Sequence, residues 1–145
     1  LYHPYISQAG EPGPFLDPSA RAQFTGLEAD MGYADLMRAV FEGLPAFRLY
    51  NPIGTVHGGF AASLLDSALG CAIFSTLAKG ETWTTLELKL NLVRPMSKDT
   101  GPVRAEGRII HRGRTVATSD GTLKDRAGKL YAHATTTCMI FPVKA

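Results

Sequence analysis

From Gly58 to Ala78 the chain is apolar and small, with no Lys, Arg or Glu and a single Asp, Asp66, and the run is announced by His57-Gly58-Gly59. Such a run predicts one long buried helix, which Lys79-Gly80 ends with an ordinary C-terminal signal. After Gly80 the period changes to two. Leu86, Leu88, Leu90 and Leu92 alternate with Thr85, Glu87, Lys89 and Asn91, the pattern of a half-buried strand, and Pro95 stops it. Val103 to His111, Thr115 to Lys124 and Lys129 to Phe141 read as three further strands. The turns between them, Arg112-Gly113-Arg114 and Asp125-Arg126-Ala127-Gly128, are short enough for antiparallel hairpins. An apolar helix followed by a meander is buried only if the sheet wraps it, which predicts an α+β fold with the helix in the curl of an antiparallel sheet.

Upstream the pattern is less regular. Residues 1–18 hold Pro4, Pro12, Pro14 and Pro18 with Gly10 and Gly13, and read as an irregular arm. Thr25 to Glu28 fits a capping box. A helix with Leu36, Met37, Val40, Phe41 and Leu44 on one stripe is expected to follow, ended by Gly43 and Pro45. Ala46 to Tyr50 is a short strand candidate before the turn Asn51-Pro52-Ile53-Gly54. These signals divide the chain into an arm and helix over 1–45 and the wrapped-helix domain over 46–145.

At 145 residues, with 45% hydrophobic and 19% charged residues, the chain has the size and balance of one soluble globular domain. A net charge of +2 argues against nucleic acid or an acidic membrane as partner, since either wants a clustered basic face. Cys71 and Cys138 have neither a disulfide nor a metal spacing, so reduced core thiols and a cytoplasmic setting are expected. The run 57–78 is long enough to raise a membrane span, but its glycines, hydroxyls, Asp and His favour a core helix. No basic segment precedes an apolar one at the N-terminus, so no secretory signal is expected; an initiator Met is also absent, as in a trimmed chain.

Asp66 carries the candidate chemistry. A carboxylate in an apolar run needs a partner or a task. The glycines before it leave a helix N-terminus open, where unpaired N–H groups and the dipole favour negative charge. An anion-stabilising amide and a carboxylate are two halves of an acyl-transfer or hydrolysis site. Gly58 and Asp66 are, however, about 12 Å apart along one helix at 1.5 Å per residue. One carbonyl cannot touch both, so a shared site requires a second copy of the chain, as a two-fold dimer arranges. The bland alternative is an Asp bonded to the backbone of a neighbouring strand.

These residues carry a resemblance. Asn51-Pro-Ile-Gly54-Thr-Val-His57-Gly58-Gly59, then Leu65-Asp66-Ser-Ala-Leu-Gly70, then Thr85-Leu-Glu87 leading into Val93-Arg94-Pro95, resemble the hotdog-fold thioesterases of the phenylacetate-pathway type, over Tyr50 to Phe141. The resemblance implies hydrolysis of acyl- or aryl-coenzyme A thioesters without metal or bound cofactor. It also implies a homodimer with sheets joined edge to edge, often paired again into a tetramer, with active sites at the dimer interface. Asp66 matches the catalytic carboxylate and Gly58 the residue whose N–H polarises the thioester carbonyl. Asn51 and His57 match polar residues lining the site, and Thr85 a hydroxyl near the carboxylate. Spacing leaves open whether Asp66 deprotonates water or attacks first. The family also places a longer strand hairpin between its first helix and the Asn-Pro-x-Gly turn, where this chain has only Ala46 to Tyr50.

Around this set, Gly59, Phe60, Leu64, Leu86 and Leu88 are expected to line the acyl pocket with the partner chain. Arg94, Arg112 and Arg114 are candidates for the phosphates of coenzyme A, as guanidinium suits phosphate. His111, His133, Met96, Met139 and Trp83 read as structural or packing residues. Two other functions compete: a non-catalytic acyl-coenzyme A binding or sensing module, which needs no base, and a hotdog hydratase, whose helix-start motif differs.

Overall fold

The computed structural model describes residues 38–143. The proline-rich arm and the Thr25–Glu28 capping box lie outside the described residues. Within them the elements are β1 (Arg38–Gly43), α1 (Gly58–Phe74), β2 (Glu81–Leu92), β3 (Val103–Arg112), β4 (Val116–Asp125) and β5 (Leu130–Pro142). All neighbouring strands pair antiparallel, in the order β1-β3-β4-β5-β2, and α1 packs against every strand. This is the expected hotdog arrangement. No helix among the described residues is long and apolar enough to cross a membrane.

Two expectations upstream of α1 are corrected. Arg38–Gly43 is a strand, not the end of a helix. Val40 and Phe41 suit a pleated surface, and pairing of Arg38–Gly43 with β3 outweighs the short helical spacing. The sheet therefore begins inside the segment expected to be arm and helix. Ala46 to Tyr50 is not a strand either; Phe47–Leu49 forms a single 3₁₀ turn, and Tyr50 bridges Val56 across the Asn51 turn. The strands after Gly80 lie where the alternation places them. α1 ends at Phe74, short of the expected Ala78, because Ser75 and Thr76 donate their hydroxyls to the carbonyls of Ala72 and Ile73, each at 2.7 Å.

The core forms where α1 presses into the sheet. Leu65, Leu69 and Ile73 are fully buried, with Leu123, Val103 and Cys138 opposite. Burying each large aliphatic side chain contributes roughly 1.5–3 kcal/mol. The approach is close because Gly107 of β3 lies directly beneath the helix. A Cβ there would come within 2.5 Å of the Ala68 carbonyl oxygen and 2.8 Å of the Leu69 nitrogen. Its cross-strand partner, Gly121, is equally constrained, since a Cβ would meet the Glu106 carbonyl oxygen at 2.4 Å. Beside this pair, the buried Ser119 hydroxyl donates to the Leu69 carbonyl at 3.1 Å.

Gly107→Ala is therefore expected to push the helix off the sheet, because neither contacting backbone can turn aside. A loss near the upper end of the overpacking range, about 3 kcal/mol, should appear in urea denaturation. An unchanged midpoint would contradict this packing.

Candidate active site

Asp66 lies on the side of α1 that faces β2, half-buried rather than enclosed. The Thr85 hydroxyl donates to its Oδ1 at 3.2 Å, the one hydrogen bond to this carboxylate among the described residues. Cys138 stands behind Thr85, with 3.8 Å between Sγ and Oγ1. Burial pushes the Cys138 thiol up, so it stays protonated and can donate to Thr85, whose own proton then points at Asp66.

The alternation alone puts Thr85 on the opposite face from Leu88 and Leu90, away from the helix. A bulge at Leu86 reconciles the two. Thr85 pairs with Cys138 and Trp83 with Ile140; past the bulge, Leu88 pairs with Thr136 and Leu90 with Ala134. All four partners point into the core, and directly paired residues share a face. The inserted residue reverses the parity of β2, so Thr85 and the later leucines both face α1. Leu86 itself is 58% exposed on the sheet edge.

The helix start is equally specific. His57 caps α1, its Nδ1 accepting from the Gly59 N–H at 2.9 Å. A neutral ring accepting at Nδ1 carries its proton on Nε2, leaving that donor free for a ligand. The Phe60 N–H goes to the His57 carbonyl. The Gly58 N–H makes no hydrogen bond among the described residues. It is the open amide, whereas Gly59 is taken by the cap. Leu92 lies over Gly58, where a Cβ would come within 2.5 Å of its Cδ1.

Other predicted residues lie elsewhere. Asn51 is occupied in its own turn; its Oδ1 accepts from the Ile53 and Thr55 N–H groups at 3.2 and 3.1 Å. Phe60 and Leu64 reach Gly43 of β1. At about 100° per residue they project from the side of α1 away from Asp66. The three arginines are not gathered into a phosphate site. Arg94 donates to the Leu130 carbonyl at 2.8 Å and lies over the Tyr131 ring. Arg112 pairs with Glu81 at 2.6 Å, at the far end of β2, and also contacts the Gly113 carbonyl. Arg114 is exposed, with no ion pair among the described residues. Leu92 and the bulge went unforeseen; the closeness of Leu92 to a glycine has no local sequence signal.

The family model described as the thioesterase superfamily matches residues 53–132. A candidate esterase of Saccharolobus solfataricus is 38% identical over 81 residues, 56% of this chain and 56% of that protein. A solved candidate thioesterase of Ralstonia eutropha, related to phenylacetic acid degradation, is 30% identical, with a TM-score of 0.66 over 85% of this chain and 90% of that one. A Streptococcus mutans protein solved with acetyl coenzyme A is 25% identical, with a TM-score of 0.65 over 74% and 84% of the two chains. The chain spans little more than half the length, or less, of the curated relatives it matches, from 57% down to 8%.

The Glu81–Arg112 pair gives a pH prediction. The Ala78 N–H and the Arg112 guanidinium hold the Glu81 carboxyl below its ordinary value of 4.5. A depressed folded-state value stabilises the fold above 4.5, and that stabilisation disappears as pH falls through the folded value. Wild type should melt above Glu81→Gln at pH 7, with the gap closing in acid. A gap independent of pH would contradict the pairing.

Proposed function

This chain belongs to the thioesterase superfamily, and from that premise we propose that it hydrolyses acyl-coenzyme A thioesters, with Asp66 of one subunit and the Gly58 amide of its partner acting on one carbonyl. The observation that carries the reading is the pairing of Asp66 with Thr85 on the open side of α1, while the Gly58 N–H of the same helix has no partner among the described residues. The two are about 12 Å apart along α1, too far to serve one thioester within one chain.

Three further features support a two-fold assembly. β2 is a sheet edge of 12 residues, and Leu86 and Leu92 on it are 58% and 55% exposed. A long edge that exposes leucines in this way invites pairing with a second edge. The helix face bearing Ala62, Asp66 and Phe74 is also left partly open. Coenzyme A as the carrier is supported by the acetyl coenzyme A bound to the Streptococcus neighbour.

The chemistry balances without metal or bound cofactor. Water attacks the carbonyl carbon and gives a proton to Asp66, while the oxygen that gains charge accepts from the partner's Gly58 amide. Collapse breaks the C–S bond, and the proton on Asp66 passes to the departing thiolate. The products are the free acid and coenzyme A. Thr85 orients the carboxylate, and His57 occupies the Gly59 amide so that Gly58 alone is presented. A binding or sensing module would require none of this proton handling.

Asp66→Asn keeps the shape and the Thr85 hydrogen bond but removes the base. Release of free thiol from acyl-coenzyme A esters should fall at least about 10²-fold, with circular dichroism unchanged. Near-normal turnover would make Asp66 a structural residue.

A further inference from the structure

Asp66, Gly70 and Phe74 are spaced four residues apart and form one stripe along α1. On β2, Thr85 and Trp83 share the core face, their partners Cys138 and Ile140 both being buried. The reactive step Asp66–Thr85 is thus followed, one helical turn on, by a second step, Gly70–Trp83. There the indole lies close enough to the helix that a Cβ on Gly70 would meet Trp83 Nε1 at 3.2 Å. Phe74 closes the row, its ring 4.9 Å from the indole with the planes tilted by 35°.

We infer that Trp83, seated over Gly70 and backed by Phe74, ends the acyl pocket and sets the size of acyl group the site accepts. The inference rests on the hydrolase reading given above. Four residues of helix span about 6 Å, room for a single ring or a short chain beyond the carbonyl carbon but not for a long one. The wall is fixed: Trp83 packs on the cluster of Ile73, Ala117, Cys138 and Ile140. It is also apolar and unfinished, since Trp83 is only half-buried and Phe74 is 37% exposed. The charges at this end of β2, Glu81 and Arg112, are paired with each other, so the row suits an uncharged group rather than a phosphate. In the other direction along the seam, Leu88 and Leu90 are packed against the core.

The test is kcat/KM for a graded series of straight-chain acyl-coenzyme A esters, from acetyl to palmitoyl, with wild type, Trp83→Leu and Gly70→Ala. Wild type should favour compact acyl groups. Trp83→Leu keeps apolar packing but shortens the wall, and should raise the ratio of long-chain to short-chain kcat/KM at least about tenfold, the discrimination that even one methylene can carry. Gly70→Ala crowds the indole, a Cβ there coming within 3.2 Å of Trp83 Nε1, and should lower the long-chain to short-chain ratio. Folded variants that hydrolyse the series with the wild-type preference would overturn the inference while leaving the hydrolase reading intact. Wild type that releases no thiol from any ester would overturn the hydrolase reading itself. Should Trp83→Leu fail to fold, Phe74→Leu, at a partly exposed position, probes the same wall and must shift preference in the same direction.

Discussion

The contact between the α1 backbone and Gly107 of β3, with Gly121 packed against the β3 backbone beside it, is the constraint on which the rest of the site depends. Neither glycine tolerates a Cβ, and the Ser119 hydroxyl holds the Leu69 carbonyl beside them. A helix seated backbone-on-backbone cannot rotate or slide without breaking contacts along its whole length, because close-packed interiors are poorly compressible. With Leu69 turned into the sheet, Asp66, three residues earlier, is carried to the flank that faces the edge strand. The carboxylate needs no dedicated binding site of its own; its direction follows from how deeply the helix is seated.

The edge strand completes the placement through an irregularity. Without the bulge at Leu86, either Thr85 or the leucines after it would face solvent. With it, the hydroxyl reaches Asp66 while Leu88 and Leu90 join the core, and Leu86 is left outside. Among the described residues the same strand is the unpaired end of the sheet, and the helix face above it is partly bare. The chain thus carries a carboxylate and an open amide on one helix, beside an edge that pairing with a second copy would cover.

Much of this was legible in the sequence where a single period dominates. The run from Gly58 and the alternation after Gly80 mark α1 and the later strands because each is long enough for its pattern to be unambiguous. Asp66 stood out because nothing charged surrounds it, and Gly58 because glycines precede the helix. Arg38–Gly43 was misread because a six-residue strand with Val40 and Phe41 also satisfies one helical turn, and only its pairing with β3 decides. Thr85 could be assigned to the site by resemblance but not by periodicity, since a bulge breaks the parity on which periodicity relies. Trp83 read as simple packing, because its placement over Gly70 joins residues whose nearness exists only after folding. Arg112 looked available for phosphate until the structure set Glu81 beside it.

The central claim, that Asp66 and Gly58 act together across two chains, is tested most directly by mixing damaged subunits. One chain carries Asp66→Asn and the other Gly58→Pro, which removes the amide N–H at a first-turn position where helices accept proline. The Leu92 methyl that the new side chain meets is the end of an exposed side chain and can turn aside; circular dichroism on this variant is the control that the helix stays folded. Each homodimer should be nearly inactive, since both of its sites lack one half. In a mixed dimer one site collects both lesions and the other none, so about half the normal thiol release per dimer should return. Mixed dimers that assemble, keep their helix and remain inactive would show that the two groups do not meet.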